Sequence, residues 1–153
     1  MISQTAEYAI RSVVCLAKYR EASLTTKQIA KVTKVPVSYL SKVLQSLARS
    51  GIVRSQRGLH GGFTLAKPPE DLSLLDIINA VDPVKHIERC PLDLEDHGID
   101  LCPLHKRLND AILMVEKAFK DSTVGDLLSE PTRNHPLCES PETKLELEKE
   151  SSS

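Results

Sequence analysis

The chain has no tryptophan, two phenylalanines and three tyrosines, so the core built by its 41% hydrophobic residues must be aliphatic and mainly helical. It has no apolar run long enough for a transmembrane helix. Its N-terminus lacks the basic, apolar and small-residue stretches of a signal peptide, and a cytoplasmic protein with no membrane partner is expected. A Gly-rich phosphate loop is also missing, and none of the four cysteines stands two to four residues from another, the spacing of a zinc pair. A small zinc hydrolase with Cys90, Cys102 and His105 as ligands and Asp96 or Glu7 as base is therefore disfavoured. With 153 residues there is little chain for a substrate pocket, and neither enzymatic activity nor a small-molecule substrate is expected.

The scarcity of acid in the first 67 residues is more informative. Glu7 and Glu21 stand there against 11 Lys and Arg, a net +9, whereas residues 68 to 153 hold 19 acids against 9 bases, a net −10. The total of −1 conceals a basic half joined to an acidic one. A basic module of this kind suits a polyanion, because each neutralised phosphate releases counterions and strengthens association.

Within the basic half, Ala6, Ile10, Val13, Val14 and Ala17 recur at helical spacing and predict an amphipathic helix over 3–20, with Cys15 as a small buried thiol beside the stripe. Thr25 and Gln28 form a capping-box pattern that starts a second, short helix, placing Thr26, Lys27 and Gln28 in its first turn. Lys34-Val35-Pro36 makes a tight connection to a third helix with Leu40, Val43, Leu44 and Leu47 inside, stopped by Gly51. Ser38, Tyr39, Ser41 and Lys42 fall on the polar side of its N-terminal end, as in a helix that enters a major groove. Ile52 to Gln56 and Gly62 to Ala66 read as two strands around a tip at 57–61, a basic hairpin carrying Arg54, Arg57, His60 and the permissive Gly61. The fold class is mainly α with a small β-hairpin: a winged helix-turn-helix over 1–67 that binds a double-stranded DNA operator, with Thr26, Lys27 and Gln28 as further contacts.

Tyr8-Ala9-Ile10-Arg11, Val37-Ser38-Tyr39-Leu40, Leu47-Ala48-Arg49-Ser50-Gly51-Ile52-Val53 and Gly58-Leu59-His60-Gly61-Gly62-Phe63 resemble the IscR/NsrR family of winged-helix regulators. The resemblance extends less strongly to about residue 129. It implies a homodimer on a partly palindromic operator, with cofactor state controlling DNA affinity and the wings and recognition helices moving in response.

Beyond Pro68-Pro69, Ser73 and Asp76 give another capping pattern for a fourth helix of about ten residues. Asp82 to Leu101 has no sustained stripe and reads as a long functional loop, so 68–102 is a connecting helix plus cofactor loop. From Leu104, the residues Leu108, Ala111, Ile112, Val115 and Phe119 mark a helix of nearly 20 residues that pairs with its twin or packs within its own subunit. The resemblance favours pairing, with 103–130 as the dimerisation helix and a short terminal helix. Residues 131–153, with Pro131, Pro136, Pro141 and Cys138, read as a flexible tail.

Cys102 precedes Pro103 as the N-cap of the long helix, where the helix dipole favours a thiolate, and His105 lies over the same first turn. Soft thiolates with an imidazole suit an iron-sulfur cluster or zinc, and the other reading is a pair of thiols open to reversible oxidation. The resemblance implies a redox-, nitric oxide- or iron-sensing cluster held by three loop cysteines, completed by His or by an acid from the other subunit's first helix. Cys90 and Cys102 match the outer two cysteines, Asp96 stands at the middle position, and Glu7 matches the helix-one acid. The expected set is Cys90, Cys102, His105 and the partner subunit's Glu7 around a cluster, 2Fe-2S favoured. His86, His97 and Cys138 are weaker candidates. The resemblance also leaves room for a metal-free regulator switched by cysteine oxidation or a partner protein.

Overall fold

The structure is a computed structural model that describes residues 2–92, 100–134, 136–137 and 149. Asp96, His97 and Cys138 lie outside the described residues. Among those described, the helices are α1 (Gln4–Lys18), α2 (Thr26–Thr33), α3 (Val37–Arg49), α4 (Leu74–Val81), α5 (Pro103–Lys120) and α6 (Val124–Ser129), with strands β1 (Val53–Gln56) and β2 (Gly62–Leu65) between α3 and α4.

Capping fixes most of the boundaries. Ser3 accepts from the Ala6 amide to start α1, and Thr25–Gln28, Ser73–Asp76 and Thr123–Asp126 form reciprocal capping boxes at α2, α4 and α6. Lys34, in the left-handed region at φ 59°, turns the chain from α2 towards α3. Gly51 (φ 71°) ends α3, as the sequence predicts, because a Cβ is disfavoured there. The first helix is shorter than the predicted 3–20, since Tyr19 to Glu21 turn away from it. Pro69–Asp71 forms a 3-10 turn that the sequence pattern did not signal.

The core is aliphatic, as the missing aromatics require. Val13, Cys15 and Leu16 of α1 pack with Ile29, Leu40, Val43, Leu44, Leu47, Leu72, Ile77 and Val124, all essentially without exposure. Removing such a leucine side chain from water contributes about 1.5–3 kcal/mol. Helix α1 is the hub, touching α2, α3, α4, α6 and β2.

The strands pair antiparallel with Val53 opposite Leu65 and Gln56 opposite Gly62. The hairpin is fastened at its base. Leu24, just before α2, donates its amide to the Phe63 carbonyl at 3.1 Å and accepts from the Phe63 amide at 2.8 Å. By contrast, α5 has no buried residue over its 18 positions, a rod about 27 Å long at 1.5 Å per residue. Residues Pro136 and Leu137 of the predicted flexible tail are fastened to α1: both carbonyls accept from Lys18 Nζ, at 3.2 and 2.8 Å, and Leu137 packs on the core.

Candidate nucleic-acid interface and cofactor loop

At the N-terminal end of α3, Ser38, Tyr39 and Lys42 are exposed. Ser41 is half-buried and donates its hydroxyl to the Val37 carbonyl at 3.0 Å, which leaves its lone pairs free to accept. Tyr39 also has a local role that the sequence did not reveal. Its hydroxyl bonds Thr5 Oγ1 at 2.8 Å and its ring meets Tyr8 edge-on at 5.5 Å, so the recognition helix is tied to α1.

In the first turn of α2, Lys27 is exposed and Thr26 and Gln28 are half-buried. The Gln28 side-chain carbonyl accepts from the Thr25 amide at 2.8 Å. The wing projects Arg54 from β1 and Arg57, Leu59 and His60 from its tip, all exposed. The turn is tight, with the Gly61 amide bonded to the Gly58 carbonyl at 2.9 Å, and a Cβ on Gly61 would meet the Gln56 and Gly58 carbonyls at 2.8 Å. Lys27 and Lys42 on the helices and Arg54, Arg57 and His60 on the hairpin are thus all exposed, with no carboxylate in α2, α3 or the hairpin.

Arg11 joins elements in a way that sequence reasoning did not assign. It ion-pairs with Glu7 at 2.6 Å, lies 5.6 Å from the centre of the Tyr8 ring, and donates to the Thr33 carbonyl at 3.1 Å, at the turn between α2 and α3. The i,i+4 spacing of Glu7 and Arg11 was the available signal. Glu7 is therefore engaged within its own chain.

The loop after α4 lies along α5 as a strap. The Val84 amide donates to Asn79 Oδ1 at 3.0 Å and the Ile87 amide to Asn109 Oδ1 at 2.8 Å, while His86 Nε2 lies 3.1 Å from Glu116. Between the strap, α4, α5 and the start of α1 is an apolar cavity of about 530 Å³, walled by Ile2, Ala6, Ile78, Ile87, Ile112 and Phe119. The stripe Leu108, Ala111, Ile112, Val115 and Phe119 lines this cavity, with Leu108 still exposed, and Leu104, Leu113 and Met114 are exposed as well.

At the end of the strap Cys90 is buried, 6% exposed. Cys102 occupies the N-cap of α5 but does not cap it through sulfur; its Sγ lies 3.3 Å from His105 Nδ1. Both thiols are free. Among the described residues no three His, Cys, Asp or Glu side chains come together as a metal site, so Cys102 and His105 are joined and Cys90 is not gathered with them. The donor types fit an iron-sulfur cluster or zinc, but one subunit's described residues do not complete the set.

The profile of the Rrf2 family, described as an iron-dependent transcriptional regulator, matches residues 2–130. A chain of Aquifex aeolicus (strain VF5) described as an HTH-type transcriptional regulator is 31% identical over 132 residues, 84% of this chain and 92% of that one. Among solved structures, CymR (YrzC), the global cysteine regulator of B. subtilis, is similar with a TM-score of 0.68 and 28% identity, over 86% of this chain and 98% of that one. T. potens IscR is similar in fold, with a TM-score of 0.71 at 22% identity over 86% and 88% of the two chains. Among the described residues no helix is long and apolar enough to cross a membrane.

Proposed function

The chain belongs to the Rrf2 family of transcriptional regulators, and from that premise we propose that it is a homodimeric repressor whose operator affinity is set by an iron-sulfur cluster. The observation that carries the DNA-binding reading is the pairing of an exposed polar α3 N-terminus with an exposed basic wing tip. Arg54, Arg57, His60, Lys27 and Lys42 hold phosphates, and Ser38, Tyr39, Ser41, Thr26 and Gln28 supply hydrogen bonds to backbone and bases. Gly61 lets the wing approach closely. Helix α5 supplies the dimer contact, because its outward Leu104, Leu113 and Met114 form apolar surface that a lone subunit leaves in water.

Cys90, Cys102 and His105 would hold the cluster together with the partner subunit's Glu7, 2Fe-2S being favoured by two thiolates. A cluster held there would supply one-electron redox chemistry and lability to nitric oxide and iron loss. Glu7 is paired with Arg11, and Arg11 is bonded to Thr33 at the turn before α3, so a Glu7 recruited as a ligand would have to give up that pair. Each state of Glu7 thus carries a different contact at the helix-turn-helix, the differential interaction that coupling requires.

Anaerobic purification followed by an absorption spectrum and iron and sulfide determination tests the cluster, and DNA binding of the loaded and stripped forms tests the coupling. A protein free of iron and sulfide after reconstitution sinks the cluster reading. It leaves a thiol switch at Cys102, for which the 3.3 Å contact with His105 is the supporting observation. In that case Cys102→Ala abolishes the response to peroxide.

A further inference from the structure

Exposed large apolar side chains are few on the basic module, and one of them has no structural reason to be there. Leu59 is 97% exposed at the tip of the wing, the most exposed large apolar side chain among the described residues. A leucine in water is by itself unremarkable in a folded protein. Its setting is unusual, because Arg57 and His60 flank it on a loop otherwise made for polyanions.

The turn presents this side chain on a narrow, stiff point. Gly58 and Gly61 bracket Leu59 and His60, so these two residues alone carry side chains at the apex, and the Gly61 amide closes the turn on the Gly58 carbonyl at 2.9 Å. Gly58 has φ 109°, and a Cβ on Gly61 would overlap two carbonyls. At the other end Gly62 lets β2 press against Leu24, and two backbone bonds fix that contact. Side chains are thus stripped from the sides of the point and kept at its tip.

A minor groove about 6 Å wide admits such a tip where it would exclude a helix, and α3 is the element shaped for the wider major groove. Arg57 beside the tip favours the strongly negative potential of narrow A·T-rich segments. In the minor groove the floor differs between base pairs by one feature: a G·C pair carries the guanine N2 amino donor, and an A·T pair does not. An aliphatic side chain set against that amino group removes its water and offers no acceptor in return.

We propose that Leu59 is a specificity-determining residue of the wing, an apolar probe that accepts A·T and rejects G·C where the hairpin tip enters the minor groove beside each half-site. The proposal rests on the reading that the chain binds double-stranded DNA. It adds a sequence preference outside the base pairs reached by α3, and it assigns that preference to one atom group on the DNA.

The test begins with selection of binding sites from a randomised duplex library by the full chain at fixed salt. The expected result is a core motif flanked by an A·T-biased position. Matched duplexes then carry A·T, G·C or inosine·C at that position, inosine·C having the major-groove face of G·C but no minor-groove amino group. The wild type should bind the A·T and inosine·C duplexes alike and the G·C duplex about tenfold more weakly. Leu59→Ala should lose most of that discrimination while retaining the core motif, and Leu59→Gln, whose amide can accept from the amino group, should reduce or invert it. Both variants should melt with the wild type, since Leu59 contributes almost no burial. Equal binding of inosine·C and G·C, an unchanged preference in Leu59→Ala, or a wild-type motif with no flanking bias overturns the assignment to Leu59 while DNA binding stands. Failure to enrich any duplex overturns both.

Discussion

Gly62→Ala tests whether the wing is held by close backbone contact with the chain entering α2. Gly62 has φ 148°, and a Cβ there would lie 2.5 Å from the Leu24 carbonyl oxygen, 2.6 Å from its carbon and 2.8 Å from Ser23 Oγ. The backbone conformation alone costs an alanine about 1–3 kcal/mol. The overlap is with backbone, so relief requires β2 to move off Leu24, which weakens two bridging hydrogen bonds of about 0.5–1.5 kcal/mol each. The sum is about 2–6 kcal/mol, a fall in Tm of about 4–24 °C for a chain of this size. Gly58→Ala is the comparison: its φ is 109° but nothing lies within 4 Å of an added Cβ, so only the conformational cost of about 1–3 kcal/mol applies. Thermal melts and urea titrations followed by circular dichroism measure both variants, and DNA binding reports whether the wing has shifted. Equal destabilisation by the two substitutions would refute the contact argument, because the overlap would then add nothing to backbone strain.

Lys42→Ala should weaken binding across DNA sequences and reduce the slope of log K against log salt by about 0.9, as loss of one phosphate contact requires; a titration at several salt concentrations reads both. Tyr39→Phe removes the bond to Thr5 and keeps the ring against Tyr8, so stability should fall by less than about 1 kcal/mol in urea, with a larger relative loss in operator affinity. Asn109→Ala frees the Ile87 amide, and the labelling rate of Cys90 by a thiol reagent should rise as the strap loosens. The carboxyl of Asp126 is held below its ordinary range by hydrogen bonds from the Thr123 backbone and side chain. A lowered folded value means that its contribution to the α6 cap is complete above the ordinary carboxylate range and is lost as pH falls through the folded value. Thr123→Ala should move the Asp126 titration, followed by carboxyl NMR, part of the way back up.

The helix-turn-helix and wing were legible because their signals are local. A capping box at Thr25 and Gln28, apolar spacing in α3 and a stop at Gly51 each concern residues within one turn or one repeat of each other. The strap read only as a loop, since its anchors are single polar residues without periodicity: Ile87 finds Asn109, and His86 finds Glu116, at separations of 22 and 30 positions. The double role of Tyr39 was hidden for the same reason, as Thr5 lies 34 residues away. At the candidate cofactor site the sequence identified donor types and placed Cys102 at a helix N-cap, and the pairing with His105 follows from one turn of helix. The joining of Cys90 to them was a matter of family resemblance, and within a single chain the described residues do not assemble it.

On the proposed reading, α1 is the element that would join the cofactor loop to the helix-turn-helix. Its middle is locked by Val13, Cys15 and Leu16 in the core, and its C-terminal end is held through Lys18 to the carbonyls of Pro136 and Leu137. Its N-terminal end is different: Ile2 and Ala6 border the apolar cavity beside the strap and α5, while Thr5, Glu7 and Arg11 reach Tyr39 and Thr33. A packed aliphatic core transmits displacement instead of absorbing it, because its close packing leaves little room for compression. The N-terminal end of α1 thus borders the cavity beside the strap and α5 and is bonded both to α3 and to the turn before it. On the proposed reading Arg11→Ala cuts the link to Thr33 and also frees Glu7 from its ion pair, so it should reduce the difference in DNA affinity between the loaded and stripped forms even when the two are compared at equal, measured iron content.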